Sequence, residues 1–110
     1  MTTPLTLPGR PEVEFEEVTR QMPMYHLILL DDDAHTYEYV IVMLLQLFGY
    51  PPEKGYEMAK EVDKTGRCIV LTAPLERVEF KRDQIHAFGA DPLSAKSAGS
   101  MTAVIEQAAG

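Results

Sequence analysis

The sequence predicts a small α+β domain whose three strands and three helices follow the order β-α-α-β-α-β. Three short apolar runs, at residues 25–30, 68–72 and 101–105, have the length and the β-branched or aromatic content of strands. Apolar residues recur at helical spacing in the segments between these runs. Two helices between the first two strands, and only three strands in total, favour an α+β sandwich over a parallel α/β sheet.

The first strand, YHLILL, lies between Pro23 and three consecutive aspartates. The helix after it is apolar over most of its circumference and ends at Gly49, so it is either enclosed or presents part of its surface for binding. A proline pair at residues 51–52 begins the second helix, and a turn at residues 65–67 ends it.

The third helix follows the second strand. Pro74 is suited to its first turn, and Glu76 lies near its positive end. Val78, Ile85 and Phe88 are expected on its inner side, and Gly89 closes it. A connection then leads to the last strand.

Length and composition limit the class of protein. A chain of 110 residues forms one domain; we expect a flexible N-terminal extension at residues 1–22, where little apolar surface is available for burial, and a folded domain at residues 23–110. The net charge of −7 disfavours nucleic acid and anionic membranes as partners. Cys68 is the one cysteine, which excludes an internal disulfide, and no apolar run is long enough to span a bilayer. We therefore expect a soluble, cytoplasmic monomer.

Asp31, Asp32 and Asp33 stand where the first strand gives way to the first helix. One or two aspartates are explained by helix capping, but a third carboxylate adds repulsion that folding does not require, so a cationic ligand is expected. Magnesium or calcium held by Asp31, Asp33 and Asp63 is one alternative. The spacing matches no calcium-binding loop, and no metal or other cofactor is expected.

An enzymatic role is disfavoured, because His26, His35 and His86 fall on a strand, a turn and a helix without a nucleophile elbow or a Gly-rich phosphate loop. For His35, a polar turn role and a ligand-contact role both stay open. The element LDDDAHT also resembles the acidic first-strand end of phosphorelay receiver domains. A receiver needs a further strand-helix-strand unit with its phosphate-accepting aspartate, whereas only two helices join Asp33 to Thr72.

Residues 24–107 resemble, in order, the ClpS family of N-degron adaptors, small proteins that recognise destabilising N-terminal residues and hand the substrate to a AAA+ unfoldase of a Clp protease. The resemblance rests on YHLILLDDDAHTYEYV, EMAKEVDKTGR, CIVLTAPLERVEFK, ADPL and MTAVIEQA. It implies a three-stranded antiparallel sheet packed against three helices. It also implies two partners, N-degron peptides or proteins and the N-terminal domain of the unfoldase, and no catalysis.

In that family an asparagine and an aspartate of the strand-to-helix turn, with a histidine late in the second helix, hold the substrate's α-amino group. By resemblance these residues become Asp31, Asp33 and Asp63, so that the asparagine and the histidine are both replaced by carboxylates. An ammonium group has three donors and carboxylates only accept, so each contact is a charge-assisted hydrogen bond. Asp32 is assigned to the turn or to solvent.

The family's side-chain pocket, carried over by resemblance, consists of His35, Tyr37, Val40, Ala59 and Met101. Tyr37 replaces a gate methionine and narrows or reshapes the entrance, whereas Ala59 replaces another methionine and opens volume. If the family's proline-leucine pair is aligned with Pro92 and Leu93 instead of aligning the final strands, Leu93 takes the place of Met101. Core packing is an equally acceptable role for Val40, Ala59 and Met101.

Glu76 and Lys81 match an acidic and a basic residue with which the family docks the unfoldase, although a solvated helix face explains them equally well. Residues 1–22 correspond to the family's delivery extension. The resemblance thus implies an adaptor for proteins that begin with leucine, phenylalanine, tyrosine or tryptophan. A ClpS-fold interaction domain with altered specificity is the alternative, because the amine-binding histidine is an aspartate here.

Overall fold

The computed structural model describes residues 22–32, 34–94 and 99–109, and its elements confirm the predicted α+β class and order. The predicted flexible extension falls almost entirely on residues 1–21, which lie outside these ranges. The elements are β1 (Met24–Leu30), α1 (Tyr37–Phe48), α2 (Pro52–Thr65), β2 (Arg67–Pro74), α3 (Leu75–His86) and β3 (Ala103–Gln107).

The sheet has the order β2-β1-β3, and both pairings are antiparallel. Leu27 of the central strand pairs with Leu71 on one side and with Ile105 on the other. Leu27 and Leu29, two positions apart and therefore on the same face, belong to the core that the helices cover. Since residues 34–66 form two helices and no strand, the strand-helix-strand unit of a receiver domain is absent from this interval.

Helices α1 and α2 pack closely because of their connection and one glycine. Gly49, with φ of 73°, ends α1 as predicted, and the short connection at residues 49–51 turns the chain so that α2 runs back along α1. A Cβ atom at Gly55 would lie 3.3 Å from Cα of Ile41. Gly55 therefore permits a close approach of the two helices, which offsets the cost of about 1 kcal/mol of a glycine inside a helix.

Three predicted boundaries are wrong. Helix α3 begins at Leu75 and ends at His86, because Pro74 keeps the extended backbone of β2, and Gly89, with φ of 101°, lies beyond the helix. Strand β3 begins at Ala103, which forms the first pair with Leu29, and not at residue 101.

The outer face of α1 leaves apolar side chains in solvent. Val42 and Leu45 are 43% and 45% exposed, so α1 presents part of its surface rather than being fully enclosed. Within the described ranges no helix combines the length and apolar character needed to cross a membrane.

Candidate functional site

The candidate site lies where the beginning of α1 meets the end of α2. The hydroxyl of Tyr37, the first residue of α1, donates a 2.8 Å hydrogen bond to Oδ2 of Asp63, in the last turn of α2. The antiparallel course of the two helices brings these ends together although 26 residues separate them. Two residues predicted for the site are therefore in direct contact.

Tyr37 extends along one stripe of α2. Tyr56, Ala59 and Asp63 follow each other at spacings of three and four residues, so their side chains share a face of the helix. The ring centroid of Tyr37 lies 5.6 Å from that of Tyr56, while its hydroxyl reaches Asp63. The phenol thus contacts this face of α2 at Tyr56 and at Asp63, on either side of the buried Ala59.

The hydrogen bond to Asp63 raises the pKa of Tyr37 to about 12, with further contributions from burial and from the charges of Asp63 and Asp31. The phenol is therefore a donor throughout the neutral range. Asp63, predicted as an amine ligand, is thus in direct contact with this hydroxyl.

The backbone at the start of the acidic turn is tied to two other segments. The N–H of Leu30 donates to the carbonyl of Thr102, and the N–H of Asp31 donates to the carbonyl of Gly66, both at 3.0 Å. Because Gly66 follows Asp63 by three residues, the exposed Asp31 is held near the end of α2.

Of the other two aspartates of the turn, the structure describes Asp32 but not Asp33. Oδ1 of Asp32 accepts the N–H of Ala34 at 3.0 Å, which confirms Asp32 as a turn residue. Asp33, the third predicted amine ligand, lies outside the described residues, and its role stays a prediction. In the part of the chain that the structure describes, no three His, Cys, Asp or Glu side chains are grouped so as to hold a metal ion.

His35 connects the acidic turn to the segment before β3. Its side chain is 3% exposed, with Nδ1 2.8 Å from Oδ2 of Asp32 and Nε2 2.8 Å from the carbonyl oxygen of Gly99. Its ring also lies 4.6 Å from the ring of Tyr39. His35, predicted for the side-chain pocket, thus fixes the acidic turn relative to the segment that leads from Gly99 to Met101. The turn role and the ligand-contact role are both compatible with this position.

Asp91 was not predicted as a site residue, yet it anchors the start of α1. It is 2% exposed, and its Oδ2 accepts the N–H and the hydroxyl of Thr36 at 2.6 and 2.9 Å. Its Oδ1 accepts the N–H of Leu93 at 2.8 Å. Burial alone would raise the pKa of Asp91, but these hydrogen bonds and the nearby His35 outweigh it and lower that pKa. The Asp-Pro dipeptide, typical of turns, is the one local indication in the sequence.

The predicted apolar pocket residues lie together. Val40, Ala59 and Met101 are 3–4% exposed and belong to one hydrophobic cluster, against which Tyr37 packs. Leu93 is instead 65% exposed and borders a separate groove of about 300 Å³ beside α1. Met101 thus lies in the same cluster as Val40 and Ala59, whereas Leu93 lies outside it.

The two predicted docking residues are held differently. Glu76 is exposed in the first turn of α3. The ammonium of Lys81 donates to the carbonyl of Leu47 and lies 5.3 Å from the ring centre of Phe48, so it interacts with the negative end of α1. Phe80, next to Lys81, is 59% exposed and makes this face of α3 partly apolar.

Comparisons with known proteins identify the family to which the chain belongs. The family model of the ATP-dependent Clp protease adaptor protein ClpS matches residues 20–96. The Clp protease adapter ClpS of Thermosynechococcus vestitus is 30% identical over 74 residues, which cover 66% of this chain and 79% of that protein. The ClpS of a Nostoc species is 28% identical over 80 residues, covering 72% and 82%.

A solved structure has the same fold. It is that of Agrobacterium tumefaciens ClpS2 bound to L-phenylalaninamide, with a TM-score of 0.68 and 20% identity, and the match covers 78% of this chain and 98% of that chain. The family model spans well over half of the present sequence. The chain therefore belongs to the ClpS family of ATP-dependent Clp protease adaptor proteins.

Proposed function

We propose that this protein binds the free α-amino group and the bulky hydrophobic first side chain of N-degron proteins, and delivers them to a AAA+ Clp unfoldase. The observation that carries the proposal is the hydrogen bond from Tyr37 to Asp63, beside the apolar cluster of Val40, Ala59 and Met101 against which Tyr37 packs. The backbone bond from Asp31 to Gly66 holds a second carboxylate residue near the end of α2. A protonated N-terminus beside a large apolar side chain has the matching chemistry.

The amine end of the ligand is recognised by charge. An ammonium group offers three donors, and the proposed acceptors are Asp31, Asp33 and Asp63. Hydrogen bonds of this charge-assisted kind contribute about 1.5–3 kcal/mol each. The cation also relieves the repulsion between the carboxylates, so a neutral, acetylated N-terminus is a much poorer ligand.

The first side chain enters the apolar part of the site, bordered by His35, Tyr37, Val40, Ala59 and Met101. Leucine, phenylalanine, tyrosine and tryptophan gain most from burial, at about 1.5–3 kcal/mol for a fully buried large side chain. The phenylalaninamide bound to the Agrobacterium tumefaciens protein has a free α-amino group and an aromatic side chain, which is the ligand chemistry proposed here.

The test is a titration with short peptides that differ only at residue one, each with an N-acetylated counterpart. Free peptides beginning with the four bulky residues should bind, and acetylation should abolish binding. Asp31→Asn and Asp63→Asn should each weaken binding about 10- to 100-fold. Asp83→Asn, which removes a carboxylate on α3, is the matched control and should bind like the unmodified protein. Equal binding of free and acetylated peptides would refute the amine site and favour an interaction domain of altered specificity.

Delivery requires a second surface, which we place on α3 at Glu76 and Lys81. The exposed Phe80 supports this assignment, since it adds apolar area between the two charges. Glu76→Lys should abolish capture by the N-terminal domain of the unfoldase while leaving peptide affinity unchanged. Loss of peptide binding in the same variant would contradict two separate surfaces. We further propose that the protein is cytoplasmic and monomeric.

A further inference from the structure

Asp63 is an unusual amine ligand because it stands at an exposed position on the last turn of α2 with a short side chain. A free carboxylate there would sample several rotamers. The hydroxyl of Tyr37 donates to Oδ2 at 2.8 Å and thereby selects one of them. Since a carboxylate has two oxygens, Oδ1 stays able to accept a hydrogen bond from a ligand.

Tyr37 is itself held in place at both ends of its ring. It is half-buried against the core cluster, its centroid lies 5.6 Å from that of Tyr56 at an interplanar angle of 57°, and its hydroxyl is bonded to Asp63. A phenol fixed in this way positions the acceptor more rigidly than a flexible side chain would.

We propose that Tyr37 is a positioning residue for amine recognition: it orients the carboxylate of Asp63 toward the ligand's ammonium group. This inference rests on the proposed function. The phenol also places the positive end of its O–H dipole against the carboxylate of Asp63. This carboxylate is thus held ready before the cation arrives, so less ordering is needed on binding.

The hydroxyl of Tyr37 contacts Asp63 and therefore bears on amine affinity rather than on the choice of the first side chain. It acts on the amine ligand and not on the first side chain, so its removal should weaken all free-amine peptides by one common factor. A role limited to shaping the pocket entrance would instead change the preference among first residues.

The experiment is a double-mutant cycle with peptides that begin with leucine and phenylalanine, in free and acetylated forms. Tyr37→Phe removes only the hydroxyl and should weaken both free peptides roughly 3- to 10-fold, the value of one hydrogen bond. In the Asp63→Asn background, adding Tyr37→Phe should cost less than about twofold, because the positioned carboxylate is already gone. Tyr56→Phe, which removes the neighbouring hydroxyl, is the matched control and should leave affinity unchanged.

A spectroscopic measurement separates positioning from folding. Ultraviolet titration of Tyr37 should show ionisation near pH 12, and at a lower pH in Asp63→Asn. Two results would overturn the inference while acetylation still abolishes binding to the unmodified protein. One is unchanged peptide affinity in Tyr37→Phe. The other is a changed ratio of the affinities for the leucine and phenylalanine peptides without a loss common to both. Insensitivity of the unmodified protein to acetylation would overturn the proposed function and, with it, this role for Tyr37.

Discussion

Asp91 accepts hydrogen bonds from both the backbone N–H and the hydroxyl of Thr36, although 55 residues separate them. Thr36 is the N-cap of α1, and its hydroxyl oxygen in turn accepts the N–H of Tyr39 at 3.2 Å. The segment after α3 therefore determines where α1 begins, and with it the position of Tyr37.

Asp91→Asn should destabilise the protein. The amide lacks the charge that makes these hydrogen bonds strong and presents two donors near the N–H groups, so the free energy of unfolding should fall by about 1–3 kcal/mol at pH 7. Urea denaturation followed by circular dichroism gives the value. Asp83→Asn, on the exposed side of α3, should change it by less than about 0.5 kcal/mol.

The contribution of Asp91 should depend on pH. Its pKa is lower in the folded state than in the unfolded chain, so its stabilisation is present above the unfolded value of about 3.9 and is lost as the pH falls toward the folded value. The difference in unfolding free energy between the unmodified protein and Asp91→Asn should therefore be largest near pH 6–7 and shrink by pH 3. A difference that stays constant over this range would contradict the role assigned to the carboxylate.

His35→Ala should loosen the segment before β3. The imidazole joins Asp32 to Gly99, and three residues further on the carbonyl of Thr102 accepts the N–H of Leu30. Hydrogen-deuterium exchange at the Leu30 N–H should accelerate by roughly 10-fold or more, because the loss of buried hydrogen bonds favours local opening. His26→Gln, which alters a contact to Thr72, should leave that amide unchanged. Equal exchange rates of the Leu30 N–H in both variants would argue against a connection from His35 through Gly99 to this hydrogen bond.

Cys68 should resist thiol reagents in the folded protein. Burial, together with the adjacent carboxylate of Glu61, raises the pKa of this thiol to about 12, and only the thiolate reacts. Alkylation at pH 8 should therefore be slower than in the urea-unfolded chain by roughly 100-fold or more. Glu61→Gln should react faster than the unmodified protein but still much more slowly than the unfolded chain. Rapid labelling of the native state would show that Cys68 is accessible.

Gly55→Leu should separate α1 from α2. Its Cβ would meet the backbone of Ile41 at 3.3 Å, and the larger side chain has no room, so we expect a loss of about 1–3 kcal/mol in unfolding free energy. Glu57→Leu, at an exposed position of the same helix, should change stability by less than about 0.5 kcal/mol. If the two variants were equally stable, the close helix contact would not be a constraint.

The arrangement of elements could be predicted because its causes are local. Apolar residues at a spacing of two or near 3.6, Gly49 after α1 and the proline pair at the start of α2 each act over a few neighbouring residues. The same kind of reasoning misplaced the start of α3, since Pro74 suits both the end of an edge strand and the first turn of a helix. Only its pairing with Met24 decides between them.

The sequence by itself determined the α+β class, the order of the elements, the unusual concentration of carboxylates and the resemblance to the ClpS family. The tertiary structure decided which partners those side chains have: Tyr37 with Asp63, His35 with Gly99 and Thr36 with Asp91, at separations of 26, 64 and 55 residues. Helical and strand patterns repeat within a few residues, whereas these contacts depend on how α1, α2 and the segment before β3 pack around one core. The spacing of residues within one helix or strand carries no information about contacts between residues so far apart in the sequence.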